Sequence, residues 1–287
     1  MKIGKYDVGD GSPAFIIAEI GINHNGDLEI AKKLIKAAKE AGCDAVKFQK
    51  RTVDVVYTAE ELATPRDNPF GPTNGDLKRG LELSREAYTE IDRYCKELDI
   101  IWSASPWDED SVDFLEQFDV PYYKIAAASL TDAGLLKKVR ATGKPIILST
   151  GMSELSEIDK AVECLGKDNL LLMKCVSQYP ATPENINLRA IQTLRERYGV
   201  PVGYSGHEQD SVISAAAVAM GACAAERHFT LDRNMWGSDH KASIEPDEMA
   251  QMVKNIRLVE QALGDPTPRC LPVEEPVKKK LRRVDSL

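Results

Sequence analysis

Two of the four histidines stand where short apolar runs end, His207 in GYSGHE and His228 in AERHFT. Neutral imidazoles held close together bind divalent metals such as Mn²⁺, Zn²⁺ or Fe²⁺. A nearby carboxylate, Glu19 or Asp239, could complete an open site whose remaining positions hold water. The alternative is a pair of hydrogen-bonding core histidines. We favour the metal site, provided that the fold brings the two rings together.

Lys47 and Lys124 interrupt runs that are otherwise apolar. A buried ammonium group needs an anionic partner to offset its desolvation cost. A bound phosphate or carboxylate could serve, with further hydrogen bonds from Ser149, Ser205 and the two backbone amides after Ser149, at a predicted helix start. Two alternatives are a salt bridge from each lysine to a structural Asp or Glu, and a Schiff-base lysine as in class I aldolases. We favour anion binding.

These residues need a framework that brings distant parts of the chain together. Short apolar runs alternate with amphipathic stretches from about residue 14 to about residue 263, which is typical of β/α units. The predicted strands are residues 14–20, 44–48, 100–104, 122–125, 145–149, 170–175, 201–204 and 223–228. The first predicted helix carries Leu28, Ala31, Leu34, Ile35 and Ala38 at helical spacing, and Gly42 would end it. The later predicted helices are residues 85–97, 108–117, 131–141, 153–164, 185–197, 208–220 and 245–263. This α/β pattern favours a closed (β/α)₈ TIM barrel over an open sheet, because no GxGxxG follows the first strand.

In such a barrel the active site lies at the carboxyl ends of the strands. The predicted strand ends of this sequence are unusually polar. Their polar residues are Glu19, Asn23, His24, Lys47, Gln49, Ser103, Ser105, Lys124, Ser149, Thr150, Ser177, Tyr179, Ser205, His207 and His228. Because a chance distribution would point polar side chains outward as often as inward, this convergence predicts one polar pocket.

One irregular insert, residues 51–80, is rich in Pro, Asn, Gly and charge and follows the second predicted strand. It would lie on the active-site face, where it could form a lid. Helix caps are expected at Ser84, Thr131 and Ser153. We predict a catalytic barrel over residues 1–263 and a C-terminal arm over residues 264–287, docked or frayed rather than forming a functional basic patch.

Composition excludes several classes of function. The length of 287 residues suits one barrel domain, and the formal net charge of -8 argues against a nucleic-acid partner. The six cysteines are scattered without a CxxC pair, which predicts reduced thiols. No apolar stretch approaches the roughly 20 residues of a membrane span, and the N-terminus lacks a signal-peptide core. We therefore expect a cytoplasmic protein without a membrane partner.

Several longer motifs, AEIGINHNGD, AVKFQ, YYKIA, KPIILSTGMS, GYSGH and ERHFTLDR, occur in this order. Together they resemble the catalytic barrel of the sialic acid synthase family, which makes nonulosonic acids such as N-acetylneuraminate. The resemblance covers about residues 15 to 263, and the motifs fall at matching strand ends. It implies that phosphoenolpyruvate condenses with the aldehyde of an open-chain amino sugar similar to N-acetylmannosamine, with release of phosphate.

The resemblance also implies roles for individual residues. His207 and His228 would bind the metal, which would be Mn²⁺, with Mg²⁺ or Co²⁺ as alternatives. Lys47 and Lys124 would be catalytic residues that hold phosphoenolpyruvate, and the catalytic Glu19 would act as an acid/base or orient water. The remaining substrate-binding residues would be Ser105, Ser149 and Ser205 for phosphoenolpyruvate, Gln49, Tyr179 and Asp239 for the sugar, and Ser177. The base for the attacking water is either Glu19 or a hydroxide on the metal. A homodimer is expected by resemblance only.

Three features depart from the family's pattern. Ala127 and Ser129 stand where the family usually has Ser and Glu, and Ser177 replaces an Asn. The chain also ends about where the family's small antifreeze-like domain would begin, a domain that lends an arginine to the sugar across a dimer. Either a cation from the insert replaces this arginine or the aldehyde differs. The alternatives are a synthase of another 3-deoxy sugar acid, which would need a second phosphate site, and a non-catalytic sugar-binding barrel.

Overall fold

The computed structural model describes residues 1–284, and its centre is a ring of eight parallel strands that we number β1 to β8 in chain order. Their bounds are Phe15–Gly21, Ala45–Lys50, Ile101–Pro106, Tyr123–Ile125, Ile146–Ser149, Leu170–Cys175, Val202–Gly206 and Ala224–His228. Each strand overlaps its predicted counterpart. The predicted α/β barrel is therefore confirmed.

The strands follow each other in chain order around the ring, and β8 pairs with β1. His228 lies opposite Glu19 in that ladder, and Glu19 lies opposite Lys47 in the next one. Within residues 1–284, β3 and β4 are neighbours without a backbone ladder. At this seam the hydroxyl of Ser103 donates to the carbonyl of Tyr122, 2.6 Å away. Ser103 therefore helps to close the ring rather than lining the pocket.

An outer layer of helices covers the strands. The helices that follow β1 to β8 in turn are Leu28–Glu40, Arg85–Glu97, Glu109–Glu116, Ala133–Ala141, Leu155–Leu165, Ala190–Tyr198, Val212–Ala219 and Pro246–Leu263. In the first, Asp27 accepts from two backbone amides at the start, and Ala31, Leu34, Ile35 and Ala38 form the buried face. Burying each leucine or isoleucine stabilises the fold by about 1.5–3 kcal/mol. This spacing of apolar residues explains why the helix packs on the barrel.

The predicted helix caps are correct in one case of three. Ser84 caps the helix after β2, since its hydroxyl accepts from a backbone amide 3.2 Å away. The caps expected at Thr131 and Ser153 are wrong, because Asp132 and Glu154 occupy those positions. The Asp132 carboxylate accepts from the backbone amide of Leu135 at 3.0 Å, whereas at the other start the Glu157 carboxylate accepts from the amide of Glu154 at 2.8 Å. Negative charge in the first turn also interacts favourably with the helix dipole.

The insert after β2 is more regular than predicted. It contains helices Val53–Val56 and Ala59–Ala63, an antiparallel hairpin of Pro65–Asn68 with Gly71–Thr73, and helix Asn74–Leu81. Thr58 and Thr73 each form a capping box, which orders the chain locally. Phe70 packs edge-on against Trp236 at 6.2 Å and attaches the insert to the loop after β8. Gly80 permits this contact, because a Cβ there would lie 2.2 Å from the Phe70 ring.

The two ends of the chain lie outside the β/α units. The strands Lys2–Ile3 and Tyr6–Asp7 form a hairpin below the barrel, where apolar side chains fill the amino end. Short helical turns occur at Ala127–Ser129, Pro183–Ile186, His240–Ala242 and Pro272–Glu274, and a mostly exposed helix follows at Glu275–Leu281. The last residues of the predicted arm, 285–287, lie outside the described residues. Within residues 1–284, no helix combines the length and apolar character needed to cross a membrane.

Candidate active site

A cavity of about 400 Å³ opens at the carboxyl ends of the strands. Among the residues that line it are Glu19, Lys47, Gln49, Ser105, Lys124, Ser149, Ser177, Tyr179, Ser205, His207, His228 and Asp239. The structure thus brings together all the residues to which the sequence analysis assigned a catalytic, substrate-binding or metal-binding role. Asn23, His24 and Thr150, three other polar residues near strand ends, instead hydrogen-bond to the surrounding framework.

Four charged side chains, Glu19, Lys47, Lys124 and Glu226, form the bottom of the cavity, which we call the floor. Lys47 forms an ion pair with Glu19 and donates to the hydroxyl of Ser105 at 3.0 Å. Lys124 forms an ion pair with Glu226 at 3.2 Å, and the same carboxylate lies 4.0 Å from Lys47. Each lysine therefore has a carboxylate partner. This is the salt bridge that the sequence analysis gave as an alternative to anion binding. With two charges of each sign, the floor is electrically neutral.

Glu226 is a charged floor residue that the sequence analysis missed. One of its carboxylate oxygens accepts from Lys124 and from Ser205, both at 3.2 Å, while the other is buried without a hydrogen-bond partner among the described residues. Burial alone would raise the pKa of Glu226, but the charges of Lys124 and Lys47 outweigh it and lower the pKa to about 2. A signal was available, since Glu226 precedes His228 by two residues and side chains so spaced on a strand share a face.

The backbone after Ser149 differs from the prediction of an anion-binding helix start. The amide of Thr150 donates to the carbonyl of Met173 at 3.0 Å. The amide of Gly151 donates to the sulfur of Cys175 at 3.1 Å. The helix itself begins several residues later. Both amides are therefore engaged within the protein, because parallel pairing with β6 continues past the end of β5.

The two site histidines lie side by side, with ring centroids 5.3 Å apart. Nδ1 of His207 donates to the carbonyl of Val176 at 2.6 Å, which leaves Nε2 of His207 with its lone pair free. Burial lowers the pKa of His207 to about 3, and His228 acts in the same direction. Nδ1 of His228 is buried without a hydrogen-bond partner among residues 1–284, and a carboxylate oxygen of Asp239 lies 3.8 Å away.

This pair of imidazoles fits a divalent metal ion. The free nitrogen of His207 and the unpartnered nitrogen of His228 are the kind of ligand that such an ion needs. In the described part of the chain, no group of three or more His, Cys, Asp or Glu side chains forms a metal cage. Glu19, one of the two expected carboxylate ligands, is held by Lys47 and by Gln49 instead. Water or substrate would therefore fill most positions around the ion.

The insert supplies part of the outer wall of the cavity, where Arg51, Tyr57 and Lys78 form what we call the rim. The Arg51 guanidinium lies 4.2 Å from the centroid of the Trp107 ring and donates to Gln49. The Lys78 ammonium lies 4.9 Å from the centroid of the Tyr57 ring. The insert thus brings cations to the mouth of the site.

Two further walls complete the cavity. Tyr179 stacks on His207 with ring centroids 4.2 Å apart. The segment 126–128, three alanines, gives an apolar wall beside Lys124. Ala127, one of the departures from the family's pattern, belongs to this wall, whereas the buried Ser129 does not reach the cavity. The side of the pocket next to β4 is therefore less polar than the family's pattern implies.

The barrel, with charged groups that converge on one cavity at the strand ends, defines the class of (β/α)₈-barrel enzymes. A family model described as "NeuB family" matches residues 34–267, and the chain belongs to this family.

The similarity to individual members extends over most of the chain. It is 42% identical to the N-acetylneuraminate-9-phosphate synthase of Homo sapiens, covering 96% of this chain and 78% of that protein. It is 41% identical to the N,N'-diacetyllegionaminic acid synthase of Campylobacter jejuni, covering 87% of this chain and 77% of that protein. The structure of the N-acetylneuraminic acid (sialic acid) synthetase of Leptospira borgpetersenii superposes with a TM-score of 0.87, at 30% identity over 99% of this chain and 98% of that one. The resemblance to the sialic acid synthases is confirmed.

Proposed function

We propose that this protein condenses phosphoenolpyruvate with the aldehyde of an amino sugar to give a nonulosonic, sialic-type acid and phosphate. Its relatives are synthases of such acids. The observation that carries the proposal is the meeting of two buried lysines with two imidazoles in one cavity of about 400 Å³. This volume is within the usual range for small-molecule sites.

The floor is the proposed site for phosphoenolpyruvate. Lys124 donates to the Ser149 hydroxyl at 2.7 Å, and Lys47 donates to Ser105 at 3.0 Å, so each ammonium lies beside a hydroxyl that can also bind an oxyanion. Because the floor is neutral, a multiply charged anion there needs additional positive charge. A divalent ion at the histidine pair supplies it, and we propose Mn²⁺, with Mg²⁺ or Co²⁺ as alternatives.

The outer half of the cavity is the proposed site for the sugar, which would contact Gln49, Ser177, Tyr179 and Asp239. The methylene carbon of phosphoenolpyruvate forms a bond to the aldehyde carbon, whose oxygen takes up a proton, while water adds at C2 and phosphate leaves. The protein's main contribution is to hold the two reactants close together. Glu19 of the floor contacts both Lys47 and Gln49, and it can orient the water or accept its proton. The metal, when bound, polarises the aldehyde oxygen.

The experiment that tests the proposal is phosphate release from phosphoenolpyruvate across a panel of aldoses, with and without Mn²⁺. We expect metal-dependent release with N-acetylmannosamine-like aldoses. His207→Ala and His228→Ala should lose bound metal and activity. The control is His24→Gln, because His24 bonds within its own loop and this variant should retain the metal. Full activity in metal-free His228→Ala protein would refute the proposed role of the histidines.

A Schiff-base aldolase is the mechanistic competitor. Such an enzyme needs a neutral lysine, whereas Lys47 and Lys124 are both ion-paired. Treatment with borohydride in the presence of pyruvate should therefore give no adduct on either residue. A stable adduct on Lys124, detected by mass spectrometry, would favour the competitor.

The location, oligomeric state and partners of the enzyme are inferred as well. We propose a cytoplasmic homodimer without nucleic-acid or membrane partners, and all six cysteines are free thiols. Light scattering of the purified protein tests the dimer. The acceptor itself differs among relatives, since the human protein is named for a phosphorylated product and the Campylobacter jejuni protein for an unphosphorylated one.

A further inference from the structure

A second cavity of about 410 Å³ adjoins the first. Ile22, Lys78 and Ser238 line both cavities. The two cavities are therefore adjacent, with these three side chains at their common border. Ser238 directly precedes Asp239, one of the residues proposed to contact the sugar. The shared wall is therefore on the sugar side of the site, away from the floor.

The second cavity is cationic. Arg66, Lys78 and Lys241 line it, opposed by a single carboxylate, Asp67. Many cations of this protein have a carboxylate partner, such as Arg79 with Asp54 on the same insert. Within residues 1–284, however, no carboxylate lies at ion-pair distance from the three cations of the second cavity. Arg66 donates only to the Asn74 side chain, at 3.2 Å, so most of its donors remain available.

The position of Lys78 is suited to a ligand that enters from the first cavity. Its side chain is half-buried, and its ammonium lies 4.9 Å from the Tyr57 ring, which holds the charge without neutralising it. Leu77, Met235 and Trp236 add an apolar surface around the cations. A carbon chain can pass over such a surface, and several cations together favour a doubly charged group over a neutral hydroxyl.

We propose that the second cavity binds a phosphate group on the terminal carbon of the acceptor, so that the acceptor is a phosphorylated amino sugar. This inference rests on the proposed function and specifies its substrate class. The two anions then have separate places. Phosphoenolpyruvate lies at the neutral floor beside the metal, and the sugar phosphate lies among Arg66, Lys78 and Lys241.

The test compares kcat/KM for N-acetylmannosamine and for its 6-phosphate in the wild type, in Lys78→Gln and in the double variant Arg66→Gln/Lys241→Gln. The wild type should prefer the 6-phosphate. Each variant should lower the ratio of the two values by about 10- to 100-fold, mainly through KM, because hydrogen bonds from charged groups are lost. The control is Lys254→Gln, which removes an exposed lysine from the last barrel helix and should leave the ratio unchanged.

The failures of the two proposals can be distinguished. If both sugars react equally well, or if the ratio is the same in all variants, the phosphate site is refuted while the condensation stands. If neither sugar supports phosphate release from phosphoenolpyruvate, the condensation is refuted. In that case the affinities of the two sugars, measured by calorimetry, still test whether the second cavity binds the phosphate group. Tighter binding of the 6-phosphate that Lys78→Gln removes would support the inference, and equal binding would overturn it.

Discussion

The lysines of the floor and Lys78 of the rim carry the same charge in different environments. The side chains of Lys47 and Lys124 are 4% and 3% exposed, and each is ion-paired. Lys78 at the rim is half-buried and rests on an aromatic ring instead. Electrostatic interactions are strong in the buried floor, whereas water and salt screen them more around the half-buried Lys78. The floor is thus suited to holding a common reactant, and the rim to distinguishing acceptors.

The two regions are also built differently. The floor residues come from strands, and the ladder that sets Glu19 opposite Lys47 fixes their spacing. The rim residues come from the insert, which the contact of Phe70 with Trp236 attaches to the barrel. Sites on strands are held more precisely than sites on loops. Substitutions in the floor should therefore have larger effects than substitutions around the rim.

The largest difference is expected in stability. Glu226→Ala should lower the free energy of unfolding by about 3–5 kcal/mol, because it leaves Lys124 buried without its carboxylate. The matched variant on the insert is Asp54→Ala, which breaks an exposed pair with Arg79 and should cost at most about 1 kcal/mol. Urea denaturation measures both. Equal losses would remove the distinction between the floor and the insert.

Substrate affinity gives the next comparison. Lys124→Ala should weaken phosphoenolpyruvate binding by about 2–5 kcal/mol, since a buried charge that pairs with the oxyanion is lost. Lys78→Ala should change it by less than about 1 kcal/mol, because screened charges contribute little. Isothermal titration calorimetry gives both values. An unchanged affinity in Lys124→Ala would refute the assignment of the floor to phosphoenolpyruvate.

The pH dependence of stability sharpens the comparison. His24 is a buried residue of the loop after β1, and it is uncharged at neutral pH, whereas the buried residues of the floor are charged. Burial lowers the pKa of His24 to about 4 from an ordinary 6.5, and its Nδ1 accepts from the amide of Gly26 at 3.0 Å. Between these pH values the unfolded chain binds the extra proton, so stability falls as pH decreases through this range and is unaffected above it.

The size of this effect should be about 2 kcal/mol between roughly pH 7.5 and pH 5. His24→Gln lacks the titrating group, so the difference in unfolding free energy between the two proteins should shrink at low pH. Urea denaturation across this range measures it. A constant difference would mean that His24 titrates normally in the folded protein.

The smallest effect is expected at the attachment of the insert. Trp236→Ala removes the edge-on contact with Phe70 and should cost about 0.5–1.5 kcal/mol beyond the lost burial. The insert should then open more often, and trypsin should cut faster after Arg66. Leu258→Ala, which removes an exposed apolar side chain from the last barrel helix, is the control. Identical cleavage rates would show that Trp236 does not hold the insert.

The barrel was predictable because its signal is local. Apolar periodicity indicates each strand and helix within a few residues, as with the helix Arg85–Glu97, whose bounds were predicted correctly. The strand ends then follow, and with them the common position of Lys47, Lys124, His207 and His228. The order within the insert was not predictable in this way, because its capping boxes involve polar residues without periodicity.

The sequence alone determined which residues reach the mouth of the barrel. Alternation along a strand and a polar strand end are local features, so they can be recognised without knowing which strands are neighbours. Only the tertiary structure decided how those residues pair: that Glu226 holds Lys124, that Ser103 closes the seam, and that the amide of Thr150 is already engaged. These contacts join residues on different strands, so they depend on distances and burial that arise when the ring closes.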